Sequence, residues 1–551
     1  MVRPTSSVKI IRRPATTTLL GLLTSLLLFL AAPGAVAWWP LAWIGLTPLL
    51  LALHRLTPAR AARLGLVAGL FYYTALLYWI VIVLGRYGHL SWLVTLPALL
   101  LLAFYMSLYL ALFAALTSWA MARSRALLWL APSLWVVLDF VRGRLFSGFP
   151  WQDLGYTQAP APYLIQVADL FGHHGVTFLL VLVNCLVFLL ITRQSRNSAT
   201  PGQRPSLAAW LAACLLVAGA MAYNVLRYQQ VTEATAAAPT IRVAVVQGNI
   251  EQDQKWTQGM QRKTVEIYND LSRQALAAPG ARPELLVWPE TALPFAPAAS
   301  PIFPELVEPF LSTERIWLLT GAPVFEQMPA EPTAGAGPAD VRYYNATLLL
   351  TPTGQINGRY DKEHLVPFGE YMPLRRYLPL PRALVESVGD FTAGQVSEPL
   401  SCQKARIGVL ICFESIFPEI AGKWAANGAN LLVNQTNDAW FGRSSAPWQH
   451  LSMVVFRAVE TRRSLARAAN TGVSGFIDPL GRLPQISPLF TPCYLTADLP
   501  LLEEKTFFVR HRNFFVGLCA LGSFFLLTLA GRQPTKASKQ RISNIEQETA
   551  E

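Results

Sequence analysis

Charge is what this sequence has least of. Only 14% of its 551 residues are Asp, Glu, Lys or Arg, whereas a soluble domain carries about 25%. So little charge excludes a disordered chain, a coiled coil and an ordinary cytosolic enzyme. Cysteine is sparse too, at six residues. They are too dispersed for a disulfide framework or a zinc site. What is abundant is apolar: 53% hydrophobic residues, with 16 Trp and 28 Phe. The composition is that of an integral membrane protein.

A helix needs ~20 mostly apolar residues to cross a hydrocarbon core ~30 Å thick. Candidate spans lie at 16–32, 35–53, 64–84, 91–120, 126–141, 161–192, 206–226 and 514–530. The fifth is short and contains Pro132. The fourth and sixth are long, which predicts tilt or a helix preceded by a surface segment; Asp169 and residues 172–175 interrupt the sixth. About eight spans, an even number, put both termini on one side. Cys185, Cys214 and Cys519 fall inside apolar runs and read as small lipid- or core-facing side chains.

The net charge of +12 is topogenic. Basic residues sit in short groups between apolar runs, not on one polar domain, which argues against nucleic acid as a partner. One set of segments carries Arg3, Lys9, Arg12 and Arg13, then Arg55, Arg60 and Arg63, Arg123 and Arg125, Arg193, Arg196 and Arg204, and finally Arg532, Lys536, Lys539 and Arg541. The intervening set has only Arg86, Arg142 and Arg144. Alternate basic loops place both termini in the cytoplasm. Arg510 and Arg512 run against the rule, but they adjoin a long translocated segment, where it is weak. Arg12-Arg13 and Ala35-Val36-Ala37 have the look of a cleavable signal, but another apolar run follows at once and favours a retained span.

Between residues 226 and 514 no stretch is able to span, and parity puts this segment outside the cytoplasm. The expected organisation is a bundle at 1–231, an extracytoplasmic domain at 240–505, a last helix at 513–531 and a polar tail at 532–551. Short apolar runs at 241–246, 285–288, 316–320, 346–350, 407–411 and 431–434 read as strands buried on both faces. Helical patterns at 260–277 and 448–469 lie between some of them. The domain is therefore α/β with a covered sheet.

Chemistry in such domains gathers at strand ends. Glu290 ends ELLVWPE, Cys412 ends RIGVLIC, and Lys362 follows a strand and a Gly-containing turn. A thiol becomes a nucleophile when a base takes its proton and a cation favours the thiolate. Acyl transfer also needs positive charge where the oxyanion forms. Alone, each residue reads as an inert core thiol, a turn residue or a solvated lysine. Together they make up the required set.

VWPET, YDKEHLVPFGEY and GVLICFES resemble the Glu-Lys-Cys motifs of the nitrilase superfamily, in particular its membrane-anchored branch, the apolipoprotein N-acyltransferases. VVQGNIEQDQKW (245–256), KEHLVPFGEYMP (362–373), CFESIFPE (412–419), NQTNDAWFG (434–442) and RAANTGVSGFIDPLGR (467–482) fit that branch, as does GFPWQDLGYTQ (148–158) in the membrane half.

The resemblance implies a four-layer α-β-β-α sandwich on an α-helical bundle of about eight spans, acting as a monomer in the bacterial inner membrane with the domain on the periplasmic side. It implies a ping-pong acyl transfer without cofactor or metal. Cys412 attacks the sn-1 ester of a phospholipid, typically phosphatidylethanolamine, and the resulting thioester passes its acyl group to the α-amine of a diacylglyceryl apolipoprotein. Glu290 acts as base and Lys362 stabilises the oxyanion.

More loosely, Glu370 matches a supporting carboxylate, with a loop salt bridge as the alternative. Glu414 either orients Lys362 or Cys412, or caps a helix. Trp256 and Trp440 match aromatics near a lipid-binding cleft, though anchoring or packing explains them nearly as well. Phe413 departs from a frequent Tyr beside the nucleophile, and Asp139, expected to pair with Arg142, stands for a family Glu.

His173 and His174 read as interfacial loop residues. Cys402 and Cys493 are expected to be free thiols. Apolar loops such as 295–303 or 377–391 are expected to gate a cleft open toward lipid. Two other readings remain: a membrane-tethered amidase with water as acceptor, and a transporter or receptor whose outer domain binds ligand. The near absence of ionisable residues in the spans counts against the second.

Overall fold

The computed structural model describes residues 14–533 other than 35, 55, 125, 195–205, 254, 328–340 and 374–389. Much of the basic set that orients the spans, nearly all of the polar tail and most of the 377–391 loop lie outside the described residues. The chain packs as two units. One comprises Met1–Val81, Ser91–Val225 and Asn513–Glu551, the other Ile82–Leu90 and Leu226–Arg512.

The first unit is helical. Among the described residues, four helices are long and apolar enough to cross a membrane: Trp92–Met121, Ala168–Thr192, Leu207–Ala237 and Phe514–Arg532. The helices Pro58–Leu76 and Trp79–Tyr87, bent by 49°, make a fifth if taken as one span. Leu101, Leu215, Leu521 and Phe524 on these helices are exposed, a liability in water and ordinary in a bilayer. The 30-residue helix Trp92–Met121 runs unbroken through Pro97.

The second expected span is not one straight helix. It is a 3-10 turn, Trp39–Trp43, followed by the seven-residue helix Thr47–Leu53; Pro40 and Pro48 each start a new element. The fifth is the 16-residue helix Leu127–Arg142, about 24 Å long and short of the hydrocarbon thickness. The sixth begins only at Ala168, after a run of 3-10 turns, and breaks at Gly172 (φ 64°, ψ −172°).

Because the helix resumes after Gly172, His173 and His174 lie on it and not in a loop. His173 Nε2 is 2.8 Å from Asp153 Oδ2. Asp153 also pairs with Arg142, which lies 3.3 Å from Asp139. Asp153, His173 and His174 place ligand-type atoms within 4.8 Å of one another, but this carboxylate is already committed to a guanidinium.

The second unit contains two six-stranded sheets. The strands are β1 Thr240–Gln247, β2 Leu285–Val287, β3 Trp317–Gln327, β4 Val341–Leu350, β5 Ile356–Asp361, β6 Leu400–Cys402, β7 Ala405–Ile411, β8 Leu431–Thr436, β9 Ser464–Ala469, β10 Gly475–Ile477, β11 Gln485–Ile486 and β12 Cys493–Pro500. Their orders are β12-β1-β2-β3-β4-β5 and β11-β10-β9-β8-β7-β6. β1, β2 and β3 are parallel to one another, as are β7, β8 and β9. Of these six, β1, β2, β3, β7 and β8 carry the continuous apolar runs, as burial on both faces requires, and β9 does not.

Gln435 on β8 joins the sheets. Its Nε2 donates to Trp288 O at 2.6 Å and Leu319 O at 3.3 Å, and its Oε1 accepts from Thr347. Helix Gln258–Ala277 packs Val265 and Tyr268 with Leu286, Trp288 and Leu318 on the outer face of the first sheet. On the second, Trp424 of helix Pro418–Ala426 sits over Gly408, where a Cβ would lie 2.6 Å from it.

Two expectations fail. The helical pattern at 448–469 ends at Thr461, where Arg462 turns left-handed (φ 52°, ψ 46°). The chain then enters β9, every residue of which is buried, so a central position in the sheet overrides local helix preference. Residues 295–303 form no apolar gate: Phe295, Ile302 and Phe303 are buried in the core of the first sheet and its helices.

Candidate active site

Three strand ends deliver the three side chains. After β2, Trp288 is anchored by its indole N–H to Ser272 Oγ (2.9 Å), and Pro289 turns the chain out of the ladder. Glu290 follows, then Thr291 with φ 47°. Gly321 on β3 lets this turn lie close, since a Cβ there would fall 2.4 Å from Thr291 N and 2.8 Å from Glu290 Cα. Lys362 follows β5, its N–H still bonded to Asn345 O at 2.9 Å. Cys412 follows β7 and opens a 3-10 turn with φ 49°. A non-glycine residue in that region costs ~1–3 kcal/mol, strain of the kind that gathers at functional sites.

The side chains converge. Lys362 Nζ is 3.7 Å from Glu290 Oε1 and 2.9 Å from Glu370 Oε1. Glu290 accepts from Asn345 Nδ2 (2.8 Å) on one oxygen and from Asn437 N (2.9 Å) on the other. The Cys412 thiol, partly exposed, hydrogen-bonds the Thr436 hydroxyl and feels the charges of Glu290, Lys362 and Asp438. Burial first, then Glu290, pushes this thiol well above its usual range, while Lys362 pulls the other way. At rest it is a thiol, and a base must take its proton. Burial works against the Lys362 ammonium, but Glu370 and Glu290 outweigh it and hold its pKa above the usual lysine value.

The supporting carboxylates divide the work. Glu370 touches Lys362 directly and also accepts from Asn345 Nδ2 (2.8 Å) and Val366 N (2.9 Å). Glu414 bonds main chain on both sides: Ile411 N at 2.7 Å next to the nucleophile, and Glu363 N at 2.7 Å and His364 N at 3.2 Å next to Lys362. Tyr360 OH adds a fourth bond at 2.7 Å. Glu414 thus ties the lysine loop to the cysteine turn.

The aromatics stand elsewhere. Phe413 is buried against Phe417 and His364. Trp256 and Trp440 are 49% and 39% exposed, and Trp440 meets Tyr87 edge-on at 5.6 Å. All six cysteines are free thiols, Cys402 and Cys493 included.

Two residues at the site escaped the sequence reading. Asn345 bridges Glu290 and Glu370; its one signal is an amide in the middle of the apolar strand β4. Lys255 is fully buried, with Nζ 2.7 Å from Thr291 Oγ1 and 3.3 Å from Glu290 O.

Comparison with known proteins covers both units. Residues 24–186 match the apolipoprotein N-acyltransferase N-terminal domain, and residues 242–504 match the carbon-nitrogen hydrolase family. The chain is 41% identical to an apolipoprotein N-acyltransferase of Geobacter metallireducens, over 94% of this chain and 95% of that one. The chain belongs to the apolipoprotein N-acyltransferase family. A Pseudomonas putida apolipoprotein N-acyltransferase is 34% identical over 90% of this chain and 93% of its own. A solved amidase from Nesterenkonia sp. is 21% identical over 50% of this chain and 97% of that chain, with a TM-score of 0.35, too slight a likeness to argue from. Membership of this family makes the protein a membrane-embedded acyltransferase of the carbon-nitrogen hydrolase superfamily.

Proposed function

We propose that this protein moves an acyl chain from the sn-1 position of a phospholipid, through a thioester on Cys412, to the α-amine of the S-diacylglyceryl cysteine that begins an apolipoprotein. The observation that carries this reading is the meeting of carboxylate, ammonium and thiol at three strand ends, in a chain whose membrane half also matches the family.

In the first half-reaction the Glu290 carboxylate takes the Cys412 proton and the thiolate attacks the ester carbonyl carbon. Lys362 Nζ stabilises the oxyanion. Collapse breaks the ester C–O bond, and Glu290 returns the proton to the departing lysophospholipid. In the second, Glu290 takes a proton from the acceptor's α-ammonium. The freed amine attacks the thioester carbonyl, the C–S bond breaks, and the amide forms as its nitrogen gives up its second excess proton to water. Cys412 leaves as a thiolate and regains a proton from Glu290.

Both substrates carry acyl chains, and bringing one into water costs ~0.8 kcal/mol per CH₂. A site at the bilayer surface avoids that cost, and this gives the membrane unit its task; an amidase of small amides would leave it without one. We place the chain in the bacterial inner membrane with about eight crossings, cytoplasmic termini, a periplasmic site and a monomeric state. The alternation of basic loops supports the crossings, and among the described residues four helices, or five with the bent pair, are long and apolar enough to span.

The test is intact-protein mass spectrometry after mixing the protein with phospholipid alone, then with a diacylated lipopeptide. An acyl adduct on Cys412, absent in Cys412→Ala, followed by N-acylated peptide and lysophospholipid, is the expected result. Free fatty acid or ammonia as the only product sinks the proposal.

A further inference from the structure

Lys255 is a buried amine that neither half-reaction uses. Its side chain is fully buried, yet its two partners among the described residues are neutral oxygens, Thr291 Oγ1 at 2.7 Å and the carbonyl of Glu290 at 3.3 Å. A cation taken out of water without an ion pair weakens a fold, so stability does not explain its place. Its contacts point to another task.

The two bonds straddle one peptide unit. Nζ holds the oxygen on the Glu290 side and the hydroxyl on the Thr291 side. Thr291 sits at φ 47°, a conformation that a β-branched residue keeps only when its surroundings hold it there. Gly321 confines this turn by close approach, since a Cβ there would fall 2.4 Å from Thr291 N. Lys255 confines it by hydrogen bonds, and its amine also feels the Glu290 charge.

The carboxylate end of Glu290 is tied to the same connection after β1. Asn437 N donates to Glu290 Oε2 at 2.9 Å, and Asn437 Nδ2 donates to Gln252 Oε1 at 2.5 Å. Asn470 Nδ2 donates to Ile250 O at 2.8 Å and to Asn437 Oδ1 at 3.1 Å. Ile250, Gln252 and Lys255 therefore brace the base at both ends, carboxylate and main chain. We propose that Lys255 is a positioning residue: by clamping the Glu290–Thr291 peptide it sets the direction in which Glu290 faces the Cys412 thiol. Its contacts are with the turn and not with the thiol, so it acts through the base. This rests on Glu290 being the base toward Cys412 in the proposed acyl transfer.

Two rates test the role in full-length protein, at a temperature well below the melting point of each variant. One is acyl-adduct formation on Cys412 in phospholipid-containing micelles. The other is alkylation of Cys412 by iodoacetamide in lipid-free detergent, which needs the thiolate, and so the base, but no substrate. Peptide mass spectrometry reads both and separates Cys412 from the other free thiols. Lys255→Met, which keeps the side-chain length, and Thr291→Val, which removes only the hydroxyl, should each slow both rates about tenfold. That is short of the 10²-fold scale of a ~1 Å displacement, and donor KM should stay within about twofold. Thr291→Ser, which keeps the hydroxyl, should be several-fold faster than Thr291→Val. The double variant should be no slower than Lys255→Met, because the two side chains act through one contact. Wild-type rates in Lys255→Met, or losses that multiply in the double variant, overturn the inference. If Lys255→Met fails to fold, Thr291→Val against Thr291→Ser decides. A wild type that is never acylated, with alkylation still slowed in Lys255→Met, refutes the acyl-transfer reading and leaves the positioning role standing; normal wild-type acylation with indifferent variants refutes the positioning role alone.

Discussion

Glu370 Oε1 stands 2.9 Å from Lys362 Nζ, nearer than the 3.7 Å that separates the ammonium from Glu290 Oε1. The two carboxylates therefore share one cation unequally, and the nearer one is not the proposed base. Glu370 holds Lys362 off Glu290, leaving Glu290 free to accept a proton while the ammonium faces the thiol. Asn345 Nδ2, which donates to both carboxylates at 2.8 Å, keeps the spacing.

Glu370→Gln should therefore impair chemistry more than binding. Without its nearer counter-charge, Lys362 closes on Glu290 and ties up the base. The expected loss is about 10²-fold in kcat, the scale for a misplaced catalytic group, with little change in donor KM. Steady-state transfer to a diacylated lipopeptide measures it; a rise in KM at constant kcat would contradict this role.

Gly321→Ala should act through geometry alone. The new Cβ would fall 2.4 Å from Thr291 N, so the turn that carries Glu290 has to shift. A displacement near 1 Å costs about 10²-fold in rate, and the acylation step should show it. Wild-type acylation in a folded Gly321→Ala protein would mean that the turn tolerates the move.

Lys255 makes stability depend on pH in the alkaline range. Burial outweighs the attraction of Glu290 and lowers its pKa from 10.5 to about 8. Between those values the unfolded chain holds a proton that the folded protein has released, so stability rises as pH increases across the window. Below pH 8 both states are protonated and the slope vanishes. The melting temperature of the wild type relative to Lys255→Met should climb from pH 8 to pH 10; parallel curves for the two proteins would exclude the effect.

Gln435→Leu should loosen the sandwich. It strips the Trp288 and Leu319 carbonyls of their cross-sheet donor, and each buried unsatisfied group costs about 1–3 kcal/mol. A loss of roughly 2–4 kcal/mol should appear as a lower unfolding midpoint. Because Trp288 leads into the Glu290 turn, acylation should slow as well. An unchanged midpoint would show that water or a neighbour supplies the missing donor.

Much of the site was legible before any coordinates. Glu290 and Cys412 each close a short apolar run, Lys362 follows a strand and a Gly-containing turn, and short runs buried on both faces read as inner strands. The helix expected at 448–469 went wrong for a related reason. SLARAA carries helix-forming residues at helical spacing, yet burial in the sheet beside β8, and not propensity, decides its conformation. Asn345 and Lys255 were invisible because their significance is a contact with residues distant in the chain.

By itself the sequence determined that this chain enters a membrane and carries an α/β domain with a thiol, a carboxylate and an ammonium at strand ends. Hydropathy and periodicity are local properties, and they survive in a linear string. Only the tertiary structure decided that Glu370, not Glu290, lies nearest Lys362, that Glu414 ties the lysine loop to the cysteine turn, and that Asn345 bridges Glu290 and Glu370. Those are distances of about three ångströms between residues tens to hundreds of positions apart, and packing alone sets them.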